Sequence, residues 1–140
     1  METKTNRELV GFFYEQVLSC TTAPDLTERM SRALAPEWQS IGGYVGPAKS
    51  REQFGAQLQG FGKLIPDLRW TIEELIEAGD RVVVRGRATG TPTGELFGVP
   101  PTGRRFDIMS LDLHTLEGGR VARTYHIEDW AGAIRQLTGK

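Results

Sequence analysis

The sequence predicts an α+β fold, with helices packed against one face of a strongly curved antiparallel sheet. Three observations carry that expectation. Apolar residues recur at helical spacing as far as Leu64, and the period drops to two after Pro66. The seventeen glycines gather toward the second half, where they mark turns and sheet bends. The chain has 140 residues and fits one domain, expected over 1–140. A chain of this size buries roughly two-thirds of its unfolded surface without a metal or disulfide staple.

The first helix is expected from Asn6 to Leu18, with Leu9, Val10, Phe12, Phe13 and Val17 on its apolar side and Thr5 and Glu8 as a capping pair. A second starts near Pro24, carries Leu26, Met30, Ala33 and Leu34, and stops at Ala35-Pro36. Glu37–Ile41 is a short extended piece, and Gly42 to Pro47 a loop. Ser50 caps a third helix bearing Phe54, Leu58, Phe61 and Leu64. Four strands then form a meander: Leu68–Glu77, Val82–Ala88, Phe106–Leu116 and Arg120–Asp129. The proline- and glycine-rich stretch from Thr91 to Thr102 joins the middle two and forms a rim. Trp130–Leu137 closes the chain as a short helix, with Asp129 as its N-cap and Trp130 packed inward.

Composition narrows the function. Seventeen Lys and Arg against eighteen Asp and Glu leave a formal charge of −1, which argues against a nucleic-acid partner. No apolar run approaches membrane-spanning length, and no charged-then-apolar leader opens the chain, so a soluble cytoplasmic protein is expected. The single Cys20 demands no oxidising compartment and has no histidine near it in sequence to make it a nucleophile.

The last two strands carry the polar residues of interest. Alternation sets Ala122, Thr124, His126 and Glu128 apart from Val121, Arg123, Tyr125 and Ile127. On the preceding strand it sets Ser110, Asp112 and His114 apart from Met109, Leu111 and Leu113. Which sets share a face depends on the turn. A two-residue Gly118-Gly119 loop puts Leu111 opposite His126. A three-residue loop with a bulge gathers Ser110, Asp112 and His126 on one face. Propensity leaves both open. His114, nearer the hairpin tip, is expected to be exposed. Arg85 and Arg87 are expected to face solvent, and Tyr14, Phe54 and Trp70 to be core or pocket wall. The apolar Val83, Met109, Leu111 and Leu113 suggest a homodimer contact on the outer sheet face. The spacing of His114, His126 and Asp112 matches no compact metal-ligand motif.

The segment from Gly94 through Val99-Pro100-Pro101-Thr102-Gly103 to Phe106 resembles the SnoaL-like polyketide cyclases, also called ester cyclases. So do Glu117–Val121, His126–Trp130 and the closing Ile134-Arg135-Gln136-Leu137. Trp38 to Ser40 and the Gly46-Pro47 step before a helix extend the likeness over nearly the whole chain. The resemblance implies a nuclear-transport-factor-2-like cone around a deep pocket. It also implies cofactor-free aldol-type ring closure on a small hydrophobic carbonyl compound. The family's catalytic Asp on the last strand falls at His126, and its neighbouring His falls at Asp112, so the two residue types look exchanged. His126 is therefore the expected acid/base, with Asp112 as its orienting partner. Trp38, Ser40, Ser110 and Thr124 are the expected substrate contacts. Related readings are a cofactor-independent hydrolase, hydroxylase or isomerase, or a non-catalytic ligand-binding or dimerisation module.

Overall fold

The computed structural model describes residues 4–139. Helix α1 (Asn6–Phe12) opens with the expected capping box, in which the Thr5 side chain accepts from the Glu8 backbone and the Glu8 side chain accepts from that of Thr5. The helix does not continue in α geometry to Leu18. At Phe13 it widens into a π-helical stretch, Phe13–Leu18. Such widenings re-aim side chains, and here Phe13, Tyr14, Val17 and Leu18 are all buried.

Helix α2 (Leu26–Ala33) runs straight into strand β1 (Leu34–Ile41). The strand thus begins three residues before the expected extended piece. A residue preceding proline is pushed toward extended geometry, and Ala35 already lies within β1. The two-residue strand β2 (Lys49–Ser50) leads into α3 (Arg51–Leu64), where Ser50 and Gln53 form a second capping box. Strands β3 (Arg69–Ala78), β4 (Arg81–Gly90), β5 (Phe106–Glu117) and β6 (Arg120–Glu128) form the meander. Helix α4 (Trp130–Thr138) starts with the Asp129 carboxylate accepting from Gly132 N.

The sheet corrects the expectation of four antiparallel strands. Among the described residues it has six, in the order β2-β1-β6-β5-β4-β3, and β1 pairs parallel to β6. No local turn announces that pairing, because Ser40 and its partner Thr124 lie far apart in sequence. The sheet curls around the helices. Val82 and Val84 of β4, Leu116 of β5 and Val121 of β6 pack with Val10, Phe13, Val17, Leu26, Met30 and Trp38 in one buried cluster. A second gathers Ile65, Ala88, Leu96, Phe106 and Ile108 with Ala133 and Leu137 of α4.

Candidate active site

The register of the β5–β6 hairpin positions the site. Glu117 pairs with Arg120 across Gly118 and Gly119, whose φ angles of 58° and 80° suit a tight two-residue turn. The turn is therefore the short one. The pairing nonetheless shifts between Thr115 and Leu116: Leu116 faces Val121, while Thr115 faces Arg123. Ala122 is the extra residue of a bulge, which changes the parity of the strand beyond it, so Val121 points inward with Thr124 and not away from it as strict alternation expects. Asp112 consequently lies directly opposite His126, and His114 opposite Thr124. The short turn and the shared face, alternatives in the sequence, coexist.

Asp112, Thr124 and His126 border a cavity of about 340 Å³ between the sheet and the helices, and His114 lies outside its lining. Its walls include Phe54, Phe61, Trp70, Phe97 and Trp130, and its polar lining includes Ser40, Gln57, Asp112, Thr124, His126 and Glu128. Trp130 packs against Phe61, Phe97 and Phe106, as expected for a residue turned inward. Phe97, from the proline- and glycine-rich connection, supplies part of the rim.

The expected substrate contacts divide. Trp38 and Ser40 border the cavity and are almost wholly buried, and Trp38 donates its indole N–H to Thr124 Oγ1 at 3.0 Å. Ser110 does not border the cavity. Its hydroxyl is buried without a partner among the described residues, against the space a side chain at position 86 would fill. Gly86 pairs with Ser110 across β4 and β5, so the serine is packed beneath its neighbour.

His114 corrects the expectation of exposure. It is fully buried: the helical layer covers this part of the hairpin, and Phe13 and Tyr14 pack edge-on against its ring. Its Nδ1 lies 2.9 Å from Thr124 Oγ1 and its Nε2 2.9 Å from the Tyr14 hydroxyl. Tyr14 in turn donates to Asp112 Oδ2. Trp38, Thr124, His114, Tyr14 and Asp112 thus form one continuous chain of hydrogen bonds.

The partner of His126 also differs from the expected one. Its Nδ1 lies 2.6 Å from Glu128 Oε2, and Trp130 donates to the other Glu128 oxygen. Nε2 has no hydrogen-bond partner among the described residues. On that edge of the ring stands Gly42, where a Cβ would come within 3.3 Å of Nε2 and Cε1. Asp112 is held by Tyr14. Alternation had put Glu128 on the face of His126, so its position was readable, though not its bond. Nothing in the sequence pointed to Tyr14 as more than a wall residue.

Asp112 and His126 are both raised, but for different reasons. Burial is the main cause that lifts the Asp112 carboxyl to a pKa of about 7. The Tyr14 hydrogen bond and His126 oppose the rise, and Glu128 adds to it. His126 is raised above its ordinary value, chiefly by the Glu128 hydrogen bond; burial and Lys49 oppose that shift, and Asp112 adds to it. Burial drives His114 down to about 3 and leaves it neutral. Tyr14 is raised well above its usual range, first by burial and then by Asp112.

The curled α+β cone is the ketosteroid isomerase-like, nuclear-transport-factor-2-like fold. Residues 10–137 match the family model for SnoaL-like polyketide cyclases, and the chain belongs to that family. Solved structures agree. TsrD from Streptomyces laurentii is 25% identical, with a TM-score of 0.79 over 96% of this chain and 95% of its own. IdmH from Streptomyces antibioticus, described as a proposed polyketide cyclase, is 25% identical with a TM-score of 0.83, over 96% of this chain and 99% of its own. AclR from Streptomyces galilaeus, described as a proposed hydroxylase, is 20% identical with a TM-score of 0.77, over 97% and 99% respectively. No curated protein sequence matches the chain significantly. Among the described residues, no helix is long and apolar enough to cross a membrane.

Proposed function

We propose that the cavity performs cofactor-free acid/base chemistry on a small hydrophobic carbonyl compound, of the aldol ring-closing kind. The carrying observation is the direct opposition of Asp112 and His126 on β5 and β6, both bordering one apolar cavity. A buried carboxylate with a pKa near 7 is a stronger base than an exposed one, and that value lies close to neutrality. Asp112 takes a proton from carbon α to a carbonyl. His126, charged through Glu128, presents Nε2–H to the carbonyl oxygen that gains negative charge. The enolate carbon then attacks a second carbonyl, and the resulting alkoxide recovers the proton from Asp112, so no proton is gained or lost overall. This differs from the sequence expectation in giving Asp112 the base role and Glu128 the orienting one.

A general base contributes about 10²–10⁴-fold in rate, enough only for a carbon already acidified, such as one between two carbonyls. Deuterium exchange at that carbon of an aryl β-keto ester, followed by NMR against the buffer rate, tests the reading. Asp112→Asn and His126→Ala should each lower the catalysed exchange by about 10²–10⁴-fold while leaving the fold intact. Exchange that persists in both folded variants rejects it.

We also propose a homodimer through the outer sheet face, where Met109, Leu111, Ile127 and Ile76 are more than half exposed. An exposed apolar patch of this kind favours a partner surface. Light scattering at micromolar concentration should give twice the chain mass. A monomer refutes the contact.

A further inference from the structure

We infer that Tyr14 and His114 are positioning residues that fix which oxygen of Asp112 exchanges a proton: a directed hydrogen-bond chain from Trp38 commits Oδ2 to the Tyr14 hydroxyl and leaves Oδ1 as the working atom. The inference deepens the proposed acid/base reading and rests on it.

The direction follows from which groups can donate. The Trp38 indole N–H only donates, so Thr124 Oγ1 accepts from it at 3.0 Å. The one Thr124 hydroxyl proton then has His114 Nδ1, 2.9 Å away, as its acceptor among the described residues. His114 must therefore carry its proton on Nε2, which donates to the Tyr14 oxygen at 2.9 Å. The Tyr14 proton is left for Asp112 Oδ2. The opposite direction would strand the Thr124 hydroxyl proton, and an ionised Asp112 could not start it. Oδ1 has no hydrogen-bond partner among the described residues.

The chain is built where little can disturb it. Trp38, Tyr14 and His114 are each at most 1% exposed, and buried hydrogen-bond chains polarise one another. The π-helical stretch carries Tyr14, so the widening of the first helix brings a hydroxyl to a carboxylate on β5. The titratable groups around Asp112 are Tyr14 from that stretch, His114 from its own strand, and His126 and Glu128 from β6. The β4 residue opposite it, Val84, cannot ionise.

Two NMR measurements on the ligand-free protein test this. Nitrogen shifts of the His114 ring should show a neutral imidazole protonated on Nε2. Carboxyl-carbon titration should show that Tyr14→Phe raises the proton affinity of Asp112 about tenfold or more, since a hydrogen bond to the charged form is lost. Thr124→Val should move it the same way by less, as the far end of the chain is cut. A His114 proton on Nδ1 overturns the inference, and that reading needs no variant to fold. An unmoved Asp112 midpoint in folded Tyr14→Phe also overturns it. Neither readout involves turnover, so failure here is separate from failure of the exchange assay.

Discussion

His114 and His126 stand on adjoining strands of one hairpin, their side chains on the same inner face, yet their charge states are driven apart. At the closed end, His114 is sealed under the helices and bonded to two hydroxyls, and its pKa falls to about 3. At the open end, His126 keeps 27% of its side chain exposed, bonds a carboxylate, and is raised. Burial disfavours the charged ring in both places. What separates them is the partner, neutral in one case and anionic in the other. Asp112 lies between the two ends, tied to the first through Tyr14 and facing the second across the ladder. One hairpin thus provides both a rigid neutral support and a cavity wall whose imidazole is biased toward its charged form.

The largest effect expected from disturbing this arrangement is on stability at Asp112. Its carboxyl keeps its proton to a higher pH in the folded chain than in the unfolded one. The stability it contributes is complete below about pH 4 and is lost as pH rises through about 7. Asp112→Asn, which cannot ionise, should exceed the parent in stability above pH 7 by up to about 4 kcal/mol. The gap should close as the pH approaches about 4. Urea midpoints across that range measure it, and a pH-independent difference would contradict the burial argument. The variant would gain stability while losing exchange activity, the trade-off expected of a strained functional group. A smaller effect sharpens the contrast between the histidines. Glu128→Gln removes the anion, so the His126 midpoint should fall, while His114 stays neutral through the whole accessible range. Ring-proton NMR titration reads both, and an unchanged His126 midpoint would mean that Glu128 does not govern its charge.

Local chemistry made much of the fold legible. The Thr5–Glu8 box and the Asp129 cap follow from neighbours within four residues, and their helices start where expected. Ser50 did the same for the third helix. Features that depend on distant pairing were not legible. The β1–β6 match has no turn to signal it, and the π-helical widening at Phe13 has no compositional mark. The same split runs through the site. Thr124, His126 and Glu128 fall on one face by simple alternation. Tyr14 meets Asp112 from 98 residues away, beyond the reach of any periodicity. His114 was misplaced because position along a hairpin says nothing about what lies over it. The hairpin register stayed ambiguous because the sequence hides where a bulge falls, and here it lies three residues past the turn rather than within it.

Ala122 occupies that bulge, and its geometry has an evolutionary corollary. A descendant lacking this alanine could zip into a regular ladder with every later partner preserved, His126 still abreast of Asp112. The surplus residue is therefore dispensable for alignment and serves curvature, bending the strand locally. Loss of Thr124 instead would also restore the count, but would turn Arg123 inward against His114. Length variation in this hairpin is thus tolerable at one codon and ruinous two codons later.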